Sequence, residues 1–168
     1  MRLLEISSVG QLIISEDLVD NGEVPLPPCA ILSHTWVEGE EVSFSDLIHN
    51  TGGHKSGYKK IQFCAKRASS DGLRHFWVDT CCINEFDFAE TSKAINSKFR
   101  WYKNAAKCYV YLSDVSTSMQ TAGDCPLGPP WETALRASRW FNRRRTFSRQ
   151  LSLNPTLEKA SGSVIEEP

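Results

Sequence analysis

The sequence predicts an α/β fold with a parallel sheet, and two observations carry that reading. Three apolar runs, "CAILSHTW" (29–36), "LRHFWVDTCCI" (73–83) and "KCYVYLSDV" (107–115), hold the aromatic and β-branched residues that suit strands. Between them lie two segments of helical periodicity, "YKKIQFCAKRAS" (58–69) and "DFAETSKAINSKFRWYKNAA" (87–106). Strand–helix–strand–helix–strand implies right-handed crossovers that return each strand parallel to the last. Strands over 29–35, 74–80 and 108–113 are therefore expected as parallel neighbours.

Each element has its own signal. "RLLEI" (2–6) reads as a short edge strand. "EDLVDNGEVPLPPC" (16–29) reads as a linker, because Asn21-Gly22 marks a turn and Pro25, Pro27 and Pro28 resist helix. In "SFSDLI" (43–48), Ser43 and Asp46 have capping-box spacing, so a helix starts there. "NTGGHKSG" (50–57) interrupts it. The next helix aligns Tyr58, Ile61, Ala65 and Ala68 on one face, with its lysines and Arg67 opposite. Asp71-Gly72 makes a turn. The second long helix offers Ile95, Tyr102 and Ala106 at helical spacing, with Phe99 nearby. "TSMQTAGDCPLGPP" (117–130) is an irregular loop, and "WETALRASRWFNRR" (131–144) is a further amphipathic helix. The segment from about 150 onward has no apolar period, as in a disordered tail.

The chain has 168 residues, 40% hydrophobic and 23% charged, which suits one soluble domain. No run approaches the roughly 18 apolar residues of a membrane-spanning helix, and the N-terminus has no signal-peptide pattern. The six cysteines (29, 64, 81, 82, 108 and 125) form no CxxC pair and no metal-ligand spacing, so reduced thiols and no metal are expected. The net charge of −1 hides an asymmetry: residues 1–50 hold nine acids against one base, Arg2. That pattern fits solvated faces, or a polar cleft or docking surface.

In a parallel sheet, ligands sit beyond the carboxyl ends of the strands. The first of the three strands ends in Ser33-His34-Thr35-Trp36, the second in Asp79-Thr80-Cys81-Cys82 and the third in Ser113-Asp114. These residues form a candidate polar rim, although strand ends meet water in any case. Glu90, just after the second strand, could project into the same cleft as a general base or cation stabiliser. It also completes a D-x-x-E capping box with Asp87, which would make it a helix-start residue. His34 could be a base or a ligand, but a lone histidine beside a tryptophan is more often a packed, hydrogen-bonded core residue. Cys82 could be a nucleophile, but without a charged neighbour in sequence a small buried apolar residue is the stronger reading. A P-loop anchored on Lys55-Ser56 would need glycine where His49 and His54 stand. "RASRWFNRRRTFSR" (136–149) could bind nucleic acid, but a solvated or docking helix face is the stronger reading.

Four blocks in order, "AILSHTW", "GYKKIQFCAKRASSDGLRHFWVDTCCI", "AETSKAINSKFRWY" and "CYVYLSDV", closely resemble the fungal heterokaryon-incompatibility (HET) domain. The resemblance covers about residues 29–115 and, more weakly, runs to 143. It departs from the family at Val37, where glycine is usual. It departs again at Arg144–Arg149, where a Gly-Trp-Thr-Leu-Gln-Glu segment is usual.

The resemblance implies a flavodoxin-like or TIR-like three-layer sandwich with a mostly parallel sheet. It divides the chain into an N-terminal segment and linker (1–28), the domain (29–143) and a disordered or divergent tail (144–168). It also implies a cytoplasmic protein of non-self recognition that triggers programmed cell death. Some TIR domains cleave NAD with a catalytic glutamate. By that likeness Glu90 and Ser33 are catalytic, and His34, Trp36, Asp79 and Cys82 are binding residues. NAD is then a substrate and no resident cofactor is implied. The alternative is a non-enzymatic module that self-associates or recruits partner signalling domains, or an inactive truncated fragment. Membrane and nucleic-acid partners are not expected. Ser33, His34, Asp79 and Glu90 are expected to converge in one cleft.

Overall fold

A computed structural model describes residues 1–7, 11–18, 26–115 and 137–142. The expectations for the 117–130 loop, the tail and most of the 131–144 helix lie outside these residues. The chain divides into two compact units, residues 1–110 and 111–168. The first contains β1 (Leu4–Ile6), β2 (Leu12–Ile14), β3 (Cys29–His34), α1 (Phe44–His49), α2 (Gly57–Ser70), β4 (His75–Trp77) and α3 (Phe88–Asn104). It also contains most of β5 (Lys107–Tyr111). The described part of the second carries α4 (Arg139–Asn142). There the Asp114 carboxylate accepts the Ser138 hydroxyl and the Arg139 amide, each at 2.8 Å.

The fold is α/β, with a five-stranded sheet in the order β2-β1-β4-β3-β5. β3 pairs with β4 in parallel, in the register Cys29↔His75, Ala30↔Phe76 and Ile31↔Trp77. β5 lies on the other side of β3, and at its start the Ala106 amide donates to the Cys29 carbonyl at 3.0 Å. The three strands are neighbours as expected, and β3 and β4 are parallel, although each strand is shorter than expected. The N-terminal segment departs from expectation. β1 is not an edge strand, because it lies between β2 and β4 and is antiparallel to both, which makes the sheet mixed. Leu3 and Leu4 are fully buried, as an internal strand requires, and β2 takes the edge with Ile13 exposed. A three-residue strand such as "LII" has no period long enough to stand out in a sequence.

All six residues of β3 are buried, the pattern of a strand covered on both faces. Strand alternation places the helices. In β4, Phe76 lines a groove with Ala65 and Ala68 of α2. The next residue, Trp77, meets the edges of Trp101 and Tyr102 of α3 at 5.5 and 6.0 Å between ring centroids. α2 buries Ile61, Cys64, Ala65 and Ala68, close to the face expected, but Lys60 is buried with them rather than facing solvent. α1 begins as its sequence predicts. The Asp46 amide donates to the Ser43 hydroxyl, and the Ser43 amide donates to the Asp46 carboxylate.

The core face of α3 differs in part from the expected one, since Tyr102 meets the core as expected. Ala94 and Trp101 are buried, whereas Ile95 and Phe99 are exposed and Ala106 lies exposed beyond the helix. The fully buried Trp77 indole demands large ring partners. Seating Trp101 and Tyr102 against it turns the Ile95–Phe99 stripe outward. The charge asymmetry resolves partly into ion pairs between the acidic N-terminal stretch and later bases: Glu5–Arg74, Asp17–Lys93, Glu41–Lys60 and Asp46–Lys55.

The helix-face assignment makes a testable contrast. Trp101→Ala should lower unfolding free energy by about 3–5 kcal/mol, the cost of deleting a buried ring. Ile95→Ser should stay within about 0.5 kcal/mol, as surface changes do. Chemical denaturation of the two variants measures both.

Candidate functional site

The carboxyl ends of β3 and β4 carry a connected polar network. Its inner part centres on Glu41, in the loop after β3. The Glu41 carboxylate takes the Lys60 ammonium in an ion pair, accepts the Val37 amide at 2.8 Å and lies 3.4 Å from His34 Nε2. The buried Lys60 ammonium also donates to the Thr35 carbonyl at 2.9 Å. Burial pushes the Glu41 carboxyl up, but His34, Lys60 and the Val37 amide outweigh it and lower it to about 2.

The outer part centres on Asp79. One of its oxygens accepts the Trp36 indole N–H at 3.3 Å and lies 4.0 Å from His34 Nε2. The other accepts the Lys98 ammonium at 3.2 Å. Lys98 Nζ also lies 5.9 Å from the Trp36 ring and 5.8 Å from the Trp77 ring, within cation–π range. Trp36 is 51% exposed, so one large aromatic face stands at the surface beside a cation and a carboxylate.

Local sequence explains the geometry. Alternation along β3 sends His34 to the α2 side, where Lys60 stands, and Ser33 to the α3 side. The loop reaches α2 because Gly57 has no side chain. Its amide donates to the Glu40 carbonyl at 2.9 Å. A Cβ there would meet that oxygen at 2.6 Å and Glu41 Cα at 2.9 Å.

His34, Trp36 and Asp79 are thus brought together. Ser33 is buried at the end of β3. Cys82 is 1% exposed and its Sγ accepts the Val78 amide at 3.4 Å, which places it in the core beneath the rim. The carboxylate of Glu90 pairs with Arg2 and accepts the Asn84 amide at 3.1 Å. Its backbone amide takes the Asp87 side chain at 3.0 Å, so the Asp87 half of the capping box forms and the carboxylate is used elsewhere. Arg2 Cζ in turn lies 4.8 Å from the Phe44 ring centroid. Glu41, Lys60, Lys98 and Arg2 are the site residues that sequence reasoning missed. The acidic stretch after Trp36 was the available signal for Glu41, whereas nothing local marks a buried lysine.

Among the described residues, no three His, Cys, Asp or Glu side chains gather as a metal site. Cys29, Cys64, Cys81, Cys82 and Cys108 are free thiols. Burial pushes Cys29 up to about 11, Cys108 up to about 12, and Cys64 and Cys81 well above the usual thiol range. These four thiols stay protonated near neutral pH and make poor nucleophiles.

Two outcomes test the network. Because Glu41 is lowered from 4.5 to about 2 in the folded chain, its stabilisation is fully present above the unfolded value and is lost as pH falls toward 2. The difference in unfolding free energy between the wild type and Glu41→Gln should therefore shrink across that window. Gly57→Ala should cost about 1–3 kcal/mol, because backbone atoms must move to admit the methyl group. Urea denaturation measures it.

Comparison with known proteins gives the chain its relatives. The family model described as heterokaryon incompatibility protein (HET) matches residues 30–160, past the domain end read from the sequence. The chain is 50% identical over 145 residues to the vegetative incompatibility protein HET-E-1 of Podospora anserina. That alignment covers 85% of this chain and 10% of the relative, so the chain spans about a tenth of the protein it matches. No solved structure matches the chain. Matched by the family model over most of its length and 50% identical to HET-E-1, the chain belongs to the heterokaryon incompatibility (HET) protein family.

Proposed function

We propose that this chain is the effector domain of a vegetative-incompatibility protein and that its activation triggers programmed cell death. Family membership and the likeness to a relative named for vegetative incompatibility support this reading. The observation that carries an enzymatic form is the Trp36–Asp79–Lys98 constellation at the carboxyl ends of parallel strands, where α/β folds bind ligands. An exposed indole offers a stacking face for a planar base, and Lys98 beside it offers a charge for a phosphate.

The reaction proposed is NAD glycohydrolysis on a TIR-like scaffold. Water adds to the anomeric carbon of the nicotinamide riboside, the N-glycosidic bond breaks, and nicotinamide, ADP-ribose and a proton leave. Glu90 is the proposed carboxylate that stabilises the ribosyl cation, and in this reading its ion pair with Arg2 must open for it to act. Ser33, at the end of β3 on the α3 side, completes the proposed catalytic pair.

A second reading rests on a separate observation. α3 exposes Phe88, Ile95 and Phe99, at 88, 65 and 48%, and their spacing puts them on one stripe. A stripe of this kind is self-complementary across a two-fold axis, so a second copy of the chain is its proposed partner. Signalling would then follow from assembly rather than chemistry.

One experiment separates the two readings. Wild type, Glu90→Gln and Ile95→Glu/Phe99→Glu are expressed at matched abundance, and viability and NAD content are followed. The enzymatic reading expects Glu90→Gln to lose killing and NAD consumption together. Killing that persists in Glu90→Gln with NAD unchanged overturns it. Loss of killing confined to the α3 variant, with a monomer where the wild type sediments as a dimer, establishes assembly.

A further inference from the structure

The sheet has a second recess, at the end opposite the Trp36–Asp79–Lys98 network. β1 runs antiparallel to β4, so the last residues of β1 lie beside the first of β4, and the last turns of α2 cover that corner. Between them lies a groove of about 520 Å³, within the size range of small-molecule sites. Its floor is apolar, formed by Ile6, Leu73 and the buried Phe76. Ile6 is 44% exposed although its neighbours Leu3 and Leu4 are fully buried, so apolar surface faces the groove uncovered.

Two cations, Lys66 and Arg74, line the rim, and among the described residues no acid lines it, although the Glu5 carboxylate pairs with Arg74 beside it. The Arg74 guanidinium uses Nε to meet Glu5 at 2.8 Å, which leaves its other N–H donors for a ligand. Arg74 is extended into solvent, with its side chain 76% exposed. Ser69 and Ser70 add hydroxyls at the end of α2. An uncovered apolar floor beneath a cationic, donor-rich rim is complementary to a molecule with an apolar body and an anionic head. The fork of an arginine suits a carboxylate or phosphate in particular.

We propose that this groove is a binding site for a small amphipathic anion, an acyl carboxylate or an alkyl phosphate ester. The apolar body lies on Ile6, Leu73 and Phe76, and the head meets Arg74 and Lys66. The site is independent of the proposed reaction, because none of its residues belongs to the Glu41 or Asp79 networks.

The test titrates the full chain with octanoate, octyl phosphate, octan-1-ol and octyltrimethylammonium, all below their micelle concentrations. Calorimetry gives affinity, and methyl NMR shifts of Ile6 and Leu73 locate the site. Saturable binding of an anion is expected, with shifts at Ile6 and Leu73 and far weaker binding of the alcohol and the cation. Arg74→Gln and Lys66→Glu/Arg74→Glu should each weaken the anion by about ten-fold or more, the value of a charge-assisted contact. Trp36→Ala should leave it unchanged. Tighter binding of octyl phosphate assigns a phosphate ester, tighter binding of octanoate assigns a carboxylate, and equal binding assigns the anion alone. Octanol binding as tightly as the anions overturns the proposal. So does anion binding that survives in the folded variants, or the absence of saturable binding.

Discussion

The buried ammonium of Lys60 is the constraint on which the candidate site depends. A lysine 3% exposed keeps its charge only if other groups replace the water it has lost. The Glu41 carboxylate and the Thr35 carbonyl do so. That requirement draws the end of β3 and the loop after it onto α2, and it sets Glu41 beside His34. Removing one member of such a pair leaves an uncompensated buried charge, which costs about 3–5 kcal/mol. The Gly57 contact with the Glu40 carbonyl serves the same end, because it lets the loop come close enough for Glu41 to reach the lysine.

Trp77 organises the other side of the sheet. Its indole is fully buried and takes Trp101 and Tyr102 edge-on, which fixes the rotation of α3. The Tyr102 hydroxyl adds a hydrogen bond to the Leu32 carbonyl at 3.1 Å, which ties the helix to β3 as well. With α3 so held, Lys98 stands between the rings of Trp36 and Trp77 and against Asp79. The rim of the candidate site is therefore a by-product of core packing. The same rotation that presents Lys98 to Asp79 turns Ile95 and Phe99 out to solvent.

Glu90 shows how one residue can serve two levels of structure. Its amide completes the start of α3 through Asp87, and its carboxylate reaches Arg2 and the Asn84 amide. Arg2 precedes β1, in a segment before residue 30, where the family match begins. A part of the chain outside the matched region thus holds the carboxylate to which the proposed reaction assigns the chemistry. Eight residues further along α3, or about 12 Å at the rise of an α-helix, Lys98 belongs to a different set of contacts.

The sequence by itself determined what local chemistry controls. Apolar runs at 29–36, 73–83 and 107–115 became neighbouring strands, because strand burial needs no more than a short stretch of suitable residues. Ser43 and Asp46 started α1 because a capping box closes within four residues. The HET blocks marked the family, and His34, Trp36 and Asp79 met because ends of neighbouring strands lie close together. Tertiary structure alone decided the rest. β1 became internal and antiparallel because the sheet, not the strand, chooses the partner. Lys60 became buried because a carboxylate nineteen residues away in the chain could receive it. The face of α3 was set by Trp77, since the two candidate apolar stripes of that helix differ by one residue's rotation and only a partner across the core can choose between them.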